Sequence, residues 1–549
     1  GRRSSVFVWS MFYLYWLDEV RPIPSGLGAY VMPNYVGKPS LPKPLGTLKV
    51  PQHPFMAPNG ASNMHCDAYS SDVSPFKGPL GIKPQIASVA LGQFIGGQCP
   101  FVAFDRYSRL VVLSSSFDKQ RLLLMHPYSL KVLAQLDLPG RPSNKSFNVD
   151  KIVTDTSGAY FYLDQEGNVV LASADNKLHV IEIKNEVDST FFSFKETYDL
   201  SPALIRNDGV VDKITTVQPD WNGWYWLVTR YGTIGIVNPH DGNIKTLNLG
   251  GEEIQNSFTI AEDGVFVVSD EALYCFEMDS VKAPKVVWRE TYDRGSAIKV
   301  GMINQGSGTT PTLMGDSLIV IADNADEQMN VLFYKRKKEI VGNRLLLKQP
   351  VFDARKSATE NSLIVYGNSV IVENNYGYDN FLGMLFGKTA EGGLVRLDLN
   401  ETGDTCKIVW ESFAIAQTCV PKLSAKNGLL YVYTKTPDAP FAIDAYYLTA
   451  IDFATGITRY KVLTGSGLRY DNNWSAINLA PDGVAYVGTI NGLLAVYDDA
   501  GDTAQRKIGF PRQVNATIIM LVLLVIAISL LLFIEMVVKK IVGFFKKRG

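Results

Sequence analysis

From about residue 100 to residue 508 the chain alternates short apolar runs, rich in Val, Ile, Leu, Tyr and Phe, with clusters of turn-forming residues. No long helical period interrupts this texture, so the runs read as strands. One unit recurs: a turn with Asp, Asn or Gly, an apolar strand, a short gap, a second strand and another turn. It is plainest in AEDGVFVVSDEALYCFEMD (261–279), DWNGWYWLVTRYGTIGIVN (220–238), LDQEGNVVLASADNKLHVIEI (163–183) and APDGVAYVGTINGLLAVYD (480–498). The first and last share A-x-D-G-V. Units fall at 100–140, 151–200, 212–250, 254–293, 308–350, 358–411, 419–463 and 472–508. A spacing of about 40 to 55 residues is that of four-stranded propeller blades. The prediction is an all-β chain whose body, 100–510, is a β-propeller of eight blades. Seven blades is the alternative count, and a pair of β-sandwiches the competing architecture.

The flanks have other patterns. Residues 21–99 are rich in Pro and Gly (RPIPSGLG, GKPSLPKPLG, KVPQHPFMAPNG) and read as an extended segment lying over the body without a core of its own. Residues 1–20 hold a short aromatic apolar stretch, Val6 to Leu17, behind Arg2 and Arg3. Twelve residues make a helix of only about 18 Å, too short to span a bilayer. A signal-anchor remnant or an interfacial segment fits better. The chain starts with Gly, which suggests that it is processed or partial.

The opposite end breaks the pattern most sharply. Ala516 to Ile534 is 19 residues without a charge. Extended to Val538, the run makes a helix of about 34 Å, a transmembrane span over 515–538. Lys539, Lys540, Lys546, Lys547 and Arg548 follow it in a basic tail, 539–549. The excess of Lys and Arg predicts a single-pass protein with this tail in the cytoplasm and the propeller on the periplasmic or extracellular side. Ala516, Ile534, Lys539 and Lys540 mark the anchor. Glu535 stands four residues before Lys539, the spacing of a helical ion pair.

Composition changes this picture little. Of 549 residues 19% are charged and 46% hydrophobic, with a formal net charge of −1. That excludes a disordered or polytopic chain, and no global basic excess points to nucleic acid. Aromatics at 11% and 46 Gly suit short strands and tight turns.

YYLTAIDFATGITRYKVLTG (446–465), with a strand, an Asp, a Thr-Gly turn and an outgoing strand, resembles the repeat of quinoprotein-type (PQQ-like) propellers. GLVRLDLNETGDTCKIVW (393–410) and GIVNPHDGNIKTLNL (235–249) are looser copies. The resemblance implies the fold and leaves function open, since such propellers include dehydrogenases and non-catalytic scaffold proteins. The quinoprotein dehydrogenases hold their cofactor beneath a disulfide between adjacent cysteines. Here the cysteines are Cys66, Cys99, Cys275, Cys406 and Cys419, none adjacent, and no CxxCH occurs. Pyrroloquinoline quinone and covalent haem are therefore disfavoured.

Cys406 and Cys419 lie 13 apart, and a disulfide between them is one reading, two buried thiols the other. Cys66 and Cys99 flank the Pro-rich segment and could staple it to the body, whereas Cys275 reads as a core residue. The densest polar stretches, GSGTTPTL (306–313), SATENSLIV (357–365) and VENNYGYDN (372–380), fall in blades 5 and 6. Glu360, Asn361, Glu373 and Asn374 could place carboxylate and amide oxygens near the propeller axis, as a Ca²⁺ site requires. Turn capping explains the same residues without a metal. His65, Cys66 and Asp67, with His53 upstream, form a further candidate metal group, short of a full ligand set. Neither a phosphate loop nor a nucleophile elbow occurs.

The expected function is that of a binding or scaffold subunit in a membrane protein assembly, with no resident cofactor and no nucleic acid partner. Its contacts would be the bilayer and neighbouring membrane proteins, through the helix and the propeller rim. An enzymatic role stays open as the alternative, a membrane-tethered Ca²⁺-dependent hydrolase acting at the channel mouth.

Overall fold

The turn chemistry read from the sequence builds the hairpins. In the first three blades an Asp follows the innermost strand, and its carboxylate accepts the backbone N–H groups two and four residues on. Asp105 takes Tyr107 and Arg109, Asp164 takes Glu166 and Asn168, and Asp220 takes Asn222 and Trp224. The residue three after each Asp adopts a left-handed backbone: Gly167 at φ 86°, Gly223 at φ 85°, and Ser108 at φ 59° where the other two have glycine. Each Asp thus closes a short turn that returns the chain antiparallel to itself.

The structure is a computed structural model that describes residues 21–92, 96–116, 119–141, 155–378, 388–436, 444–499 and 512–546. Its strands form eight sheets arranged as propeller blades. Blades 1 to 6 are each four consecutive antiparallel strands: Val102–Pro139, Phe161–Asp199, Ile214–Asn248, Thr259–Thr291, Thr312–Pro350 and Ile364–Ser412. Blade 7 comprises Lys422–Ser424, Leu429–Lys435, Ala445–Asp452 and Thr458–Ser466. Blade 8 takes three strands from the C-terminal side, Ile477–Leu479, Ala485–Thr489 and Gly492–Asp498.

The fourth strand of blade 8 is Pro84–Ala90, antiparallel to Gly492–Asp498 with Ala87 opposite Ala495. A stretch read as extended covering thus closes the ring. The same N-terminal segment adds Tyr35–Gly37 to the outer edge of blade 7 and Val73–Ser74, in parallel, to its inner edge.

Eight hydrophobic clusters occupy the eight interfaces between neighbouring blades, which settles the count at eight rather than seven. Alternate residues of one strand serve opposite interfaces. Val111 and Leu113 pack toward blade 2, whereas Leu110 and Val112 pack toward blade 8. Both faces are buried, so the strands read as unbroken apolar runs rather than as alternation. Cys275 is 2% exposed in the cluster between blades 4 and 5, as expected of a core residue.

A helix runs from Arg512 to Lys546. Its apolar part, Leu521–Ile541, is 21 residues long and none of it is buried against protein. Glu535 and Lys539 pair at 2.6 Å on its surface. Of the anchor residues named above, Ala516, Ile534, Lys539 and Lys540 all lie on this helix.

Candidate functional site

Residues 53 to 76, the heart of the Pro-rich segment, enter the ring and lie across the inner strands. The backbone N–H of Leu163 donates to the Ser62 carbonyl, Phe104 to Ala61, Leu313 to Tyr69, Val365 to Ser71 and Leu423 to Asp72, all within 3.1 Å. Ser70 bonds Thr259 through their hydroxyls at 2.8 Å, and His53 Nε2 donates to the Pro219 carbonyl at 3.1 Å. Seven of the eight blades therefore hold the segment directly. Inner strands expose one unpaired edge each to the axis. Here the chain satisfies those edges with its own carbonyls and plugs the channel.

A buried ion network pins the plug. Asp72 and Lys422, each with a fully buried side chain, pair at 2.7 Å. Asp72 also accepts from His65 Nδ1 at 3.1 Å and from the Ser362 hydroxyl. Burial alone would raise the Asp72 pKa, but the charges of Lys422 and His65 override it and hold it down to about 2. Nearby, Asp67 is pushed up to about 7 by burial, with opposing hydrogen bonds from Ser71 and Tyr69. Three residues of the plug take left-handed backbones without being glycine: Cys66, Ser70 and Asp72.

Beside the plug lies a cavity of about 80 Å³. Met64 and His65 of the plug line it, and the other lining residues precede or begin inner strands all around the ring, from Pro100 and Tyr160 to Glu360, Val420 and Trp474. This is the axial cavity, and sequence reasoning placed two candidates on it, Glu360 and Asn361. It missed His65 as the head of an ion network, because the partners Ser362 and Lys422 lie some 300 residues away in sequence.

The quartet proposed for Ca²⁺ is divided by its contacts. Glu360 Oε1 accepts the Ile303 N–H at 2.6 Å, on the side of blades 4 and 5. Asn361 turns toward blade 7, where its amide donates to the Cys419 carbonyl at 2.7 Å and to Glu373 Oε1 at 2.9 Å. Asn375 donates to the same Glu373 oxygen at 2.6 Å. Asn374 Oδ1 accepts the N–H groups of Ala358 and Tyr376, the turn-capping role that was the competing reading. Thus Asn361 and Glu373 meet, while Glu360 and Asn374 serve other partners. Burial pushes Glu360 up to about 7 and raises Glu373 well above the usual carboxylate range. Neutral carboxyls are what such surroundings favour. Among the described residues no three His, Cys, Asp or Glu side chains cluster as metal ligands. His53 has both ring nitrogens engaged, with the Pro219 carbonyl and the Phe55 N–H, so it does not join His65.

The cysteine bridges are corrected. Cys406 and Cys419 are free thiols, as are Cys66 and Cys99. Cys406 stands on the outermost strand of blade 6, opposite Leu399, while Cys419 precedes the innermost strand of blade 7 and accepts the Tyr433 N–H. Crossing a four-stranded blade from edge to edge takes about 14 Å, far beyond disulfide reach.

No protein-family profile matches the chain, and no curated protein matches it. Several solved structures are similar. BamB from Moraxella catarrhalis is 13% identical, covering 61% of this chain and 92% of that one, at a TM-score of 0.31. Sqt1 from Saccharomyces cerevisiae is 10% identical, covering 73% and 96%, at 0.45. The WD40 β-propeller domain of Doa1 is 12% identical, covering 61% and 90%, at 0.33. Likenesses of this degree carry no functional argument.

Proposed function

We propose that the protein is a membrane-anchored propeller that serves as a binding or scaffold subunit of a membrane protein assembly. The observation that carries this reading is the presence, beside a sealed and plugged ring, of an apolar helix whose span Leu521–Ile541 is nowhere buried by the described residues. An uncovered helix of 21 residues needs lipid or another helix around it. A ring stapled at its seam and its axis is a rigid platform whose loops and outer strands face outward. Such rims suit protein contact. Exposed apolar side chains, among them Val187 and Phe413, lie on that outer surface.

In this reading the propeller stands on the periplasmic or extracellular side and the tail after Lys540 in the cytoplasm. The bilayer and neighbouring membrane subunits are its partners, with no nucleic acid and no resident cofactor. The hydrolase reading gains little from the site, because the Glu373 oxygen facing Asn361 is already held by two amide donors.

Labelling tests the topology. Single cysteines placed in the tail and on a propeller loop, in a background free of the native five, are exposed to an impermeant maleimide in intact cells. Modification of the loop alone supports the arrangement, and modification of the tail alone overturns it. Metal analysis tests the alternative: a stoichiometric divalent ion lost in Glu373→Ala would favour the hydrolase.

A further inference from the structure

The anchor helix has a fixed neighbour on the ring. Arg512–Lys546 touches the short helix Gly28–Val31 more than any other described element, while the span Leu521–Ile541 stays unburied. Gly28–Val31 is in turn tied to the outer edge of blade 7. The Gly28 N–H donates to the Ser466 hydroxyl at 3.0 Å, the Gly26 N–H to the Ser466 carbonyl at 2.9 Å, and Met32 packs on Ala445, Tyr447 and Leu463. Tyr35–Gly37 continues along that edge with Val36 opposite Lys461, and the Lys38 N–H donates to the Arg459 carbonyl at 3.0 Å. One strip of surface, from Tyr30 to Lys38, thus runs from the anchor's neighbour along the rim of the ring.

The strip is apolar and basic at once. Val31 is 67% exposed, Val36 43% and Tyr30 40%. Lys38 is exposed, and Arg459 and Lys461 are half-buried beside it. Residues 21 to 66 contain Arg21, Lys38, Lys43 and Lys49 but no Asp or Glu, in a chain whose 53 basic and 54 acidic residues otherwise balance. The strand Thr458–Ser466, on which the strip is built, has no acid either. Lys43 is paired with Asp452 at 2.9 Å, whereas Lys38 and Lys461 form no ion pair among the described residues. Unpaired cations with exposed Val and Tyr match the headgroup layer: lipid phosphates meet the Lys side chains, apolar side chains reach the acyl boundary, and Tyr sits at the level between. The neighbour of a helix entering a bilayer is carried to that layer, so lipid is the surface this strip meets first.

We propose that the strip from Tyr30 to Lys38, on the rim of blade 7, rests on the lipid headgroup layer as a second membrane contact beside the anchor. This rests on the reading of the anchor as a membrane-spanning helix. The opposite rim, at blade 3, is then the one left for protein partners.

Nitroxide quenching tests the contact on the full chain reconstituted in vesicles of equal parts phosphatidylcholine and phosphatidylglycerol. In a background free of the native cysteines, an NBD fluorophore is placed at Val31→Cys, at Val341→Cys on blade 5, where the side chain is 90% exposed, or at Leu530→Cys in the anchor. Lipids with a headgroup nitroxide are expected to quench position 31 at least about twofold more than position 341, and Lys38→Glu to reduce that difference. Val36→Cys carries the label if Val31→Cys does not fold. Equal quenching at positions 31 and 341, while an acyl-chain nitroxide quenches position 530, overturns this contact alone. If position 530 escapes quenching too, the spanning helix falls and the contact with it. A label at position 31 that is shielded from aqueous iodide yet untouched by lipid nitroxides also overturns the proposal, in favour of a second copy of the chain covering the strip.

Discussion

Lys422 and Asp72 are buried 350 positions apart in sequence, and each leaves the other uncompensated when it is removed. Breaking such a pair typically costs about 3–5 kcal/mol. Lys422→Met is therefore expected to lower the unfolding midpoint sharply, and Asp72→Asn with Lys422→Met to cost less than the sum of the single changes, as a double-mutant cycle in chemical denaturation would show. The two carboxyls at this site respond to pH in opposite directions. Asp72 has a folded pKa of about 2, below its unfolded value, so it contributes stability above about pH 4 that is lost as pH falls toward 2. Glu360 is raised to about 7, so the folded state prefers the protonated form and loses stability as pH rises from about 4.5 to 7. Glu360→Gln is accordingly expected to match the wild type at pH 4.5 and to be more stable at pH 8. Equal stability of the two proteins at pH 8 would contradict the burial assigned to Glu360.

At the scale of elements, blade 8 packs closely against the segment that leads into blade 1. A Cβ at Gly488 would run into the carbonyl of Cys99 and crowd the Ser475 side chain. Gly488→Ala is expected to cost about 1–3 kcal/mol, read as a lowered thermal midpoint. Deleting Pro84–Ala90 leaves the outer edge of Gly492–Asp498 unpaired and should abolish the cooperative transition. These elements were unequally legible in the sequence. The hairpins of blades 2 to 4 and blade 8 show in turns such as Asp164–Gly167 and in AEDGV and APDGV, because the chemistry of such turns is local. The anchor helix shows as 19 uncharged residues for the same reason. Pro84–Ala90 gave no signal as the closing strand, since Pro starts it and its partner stands some 400 residues on. The plug was equally hidden, because nothing within HCDAYSSDV announces that Lys422 and Ser362 complete it. The 13-residue spacing of Cys406 and Cys419 misled because distance along the chain does not say which edge of a blade a residue occupies. Glu360 and Asn361 both line the axial cavity, but their side chains bond to different partners, Ile303 for one and Cys419 and Glu373 for the other, which the sequence does not show.

Taken whole, the molecule is a ring locked at its seam by Pro84–Ala90, filled at its axis by residues 53 to 76, and followed by a helix whose apolar span the described residues do not bury. A charge at the middle of that helix costs about 2.5–3.5 kcal/mol of insertion free energy. Leu530→Arg is thus expected to move the protein out of the membrane fraction while leaving a protease-resistant propeller, and full retention in that fraction would count against a spanning helix. The central claim, that this propeller works as a subunit, is tested most directly by the native mass of the protein extracted from its own membrane in mild detergent, with co-extracted chains identified by mass spectrometry. The account requires a particle heavier than one chain, containing other membrane proteins at fixed stoichiometry. A lone 60.6 kDa chain in its micelle would contradict it.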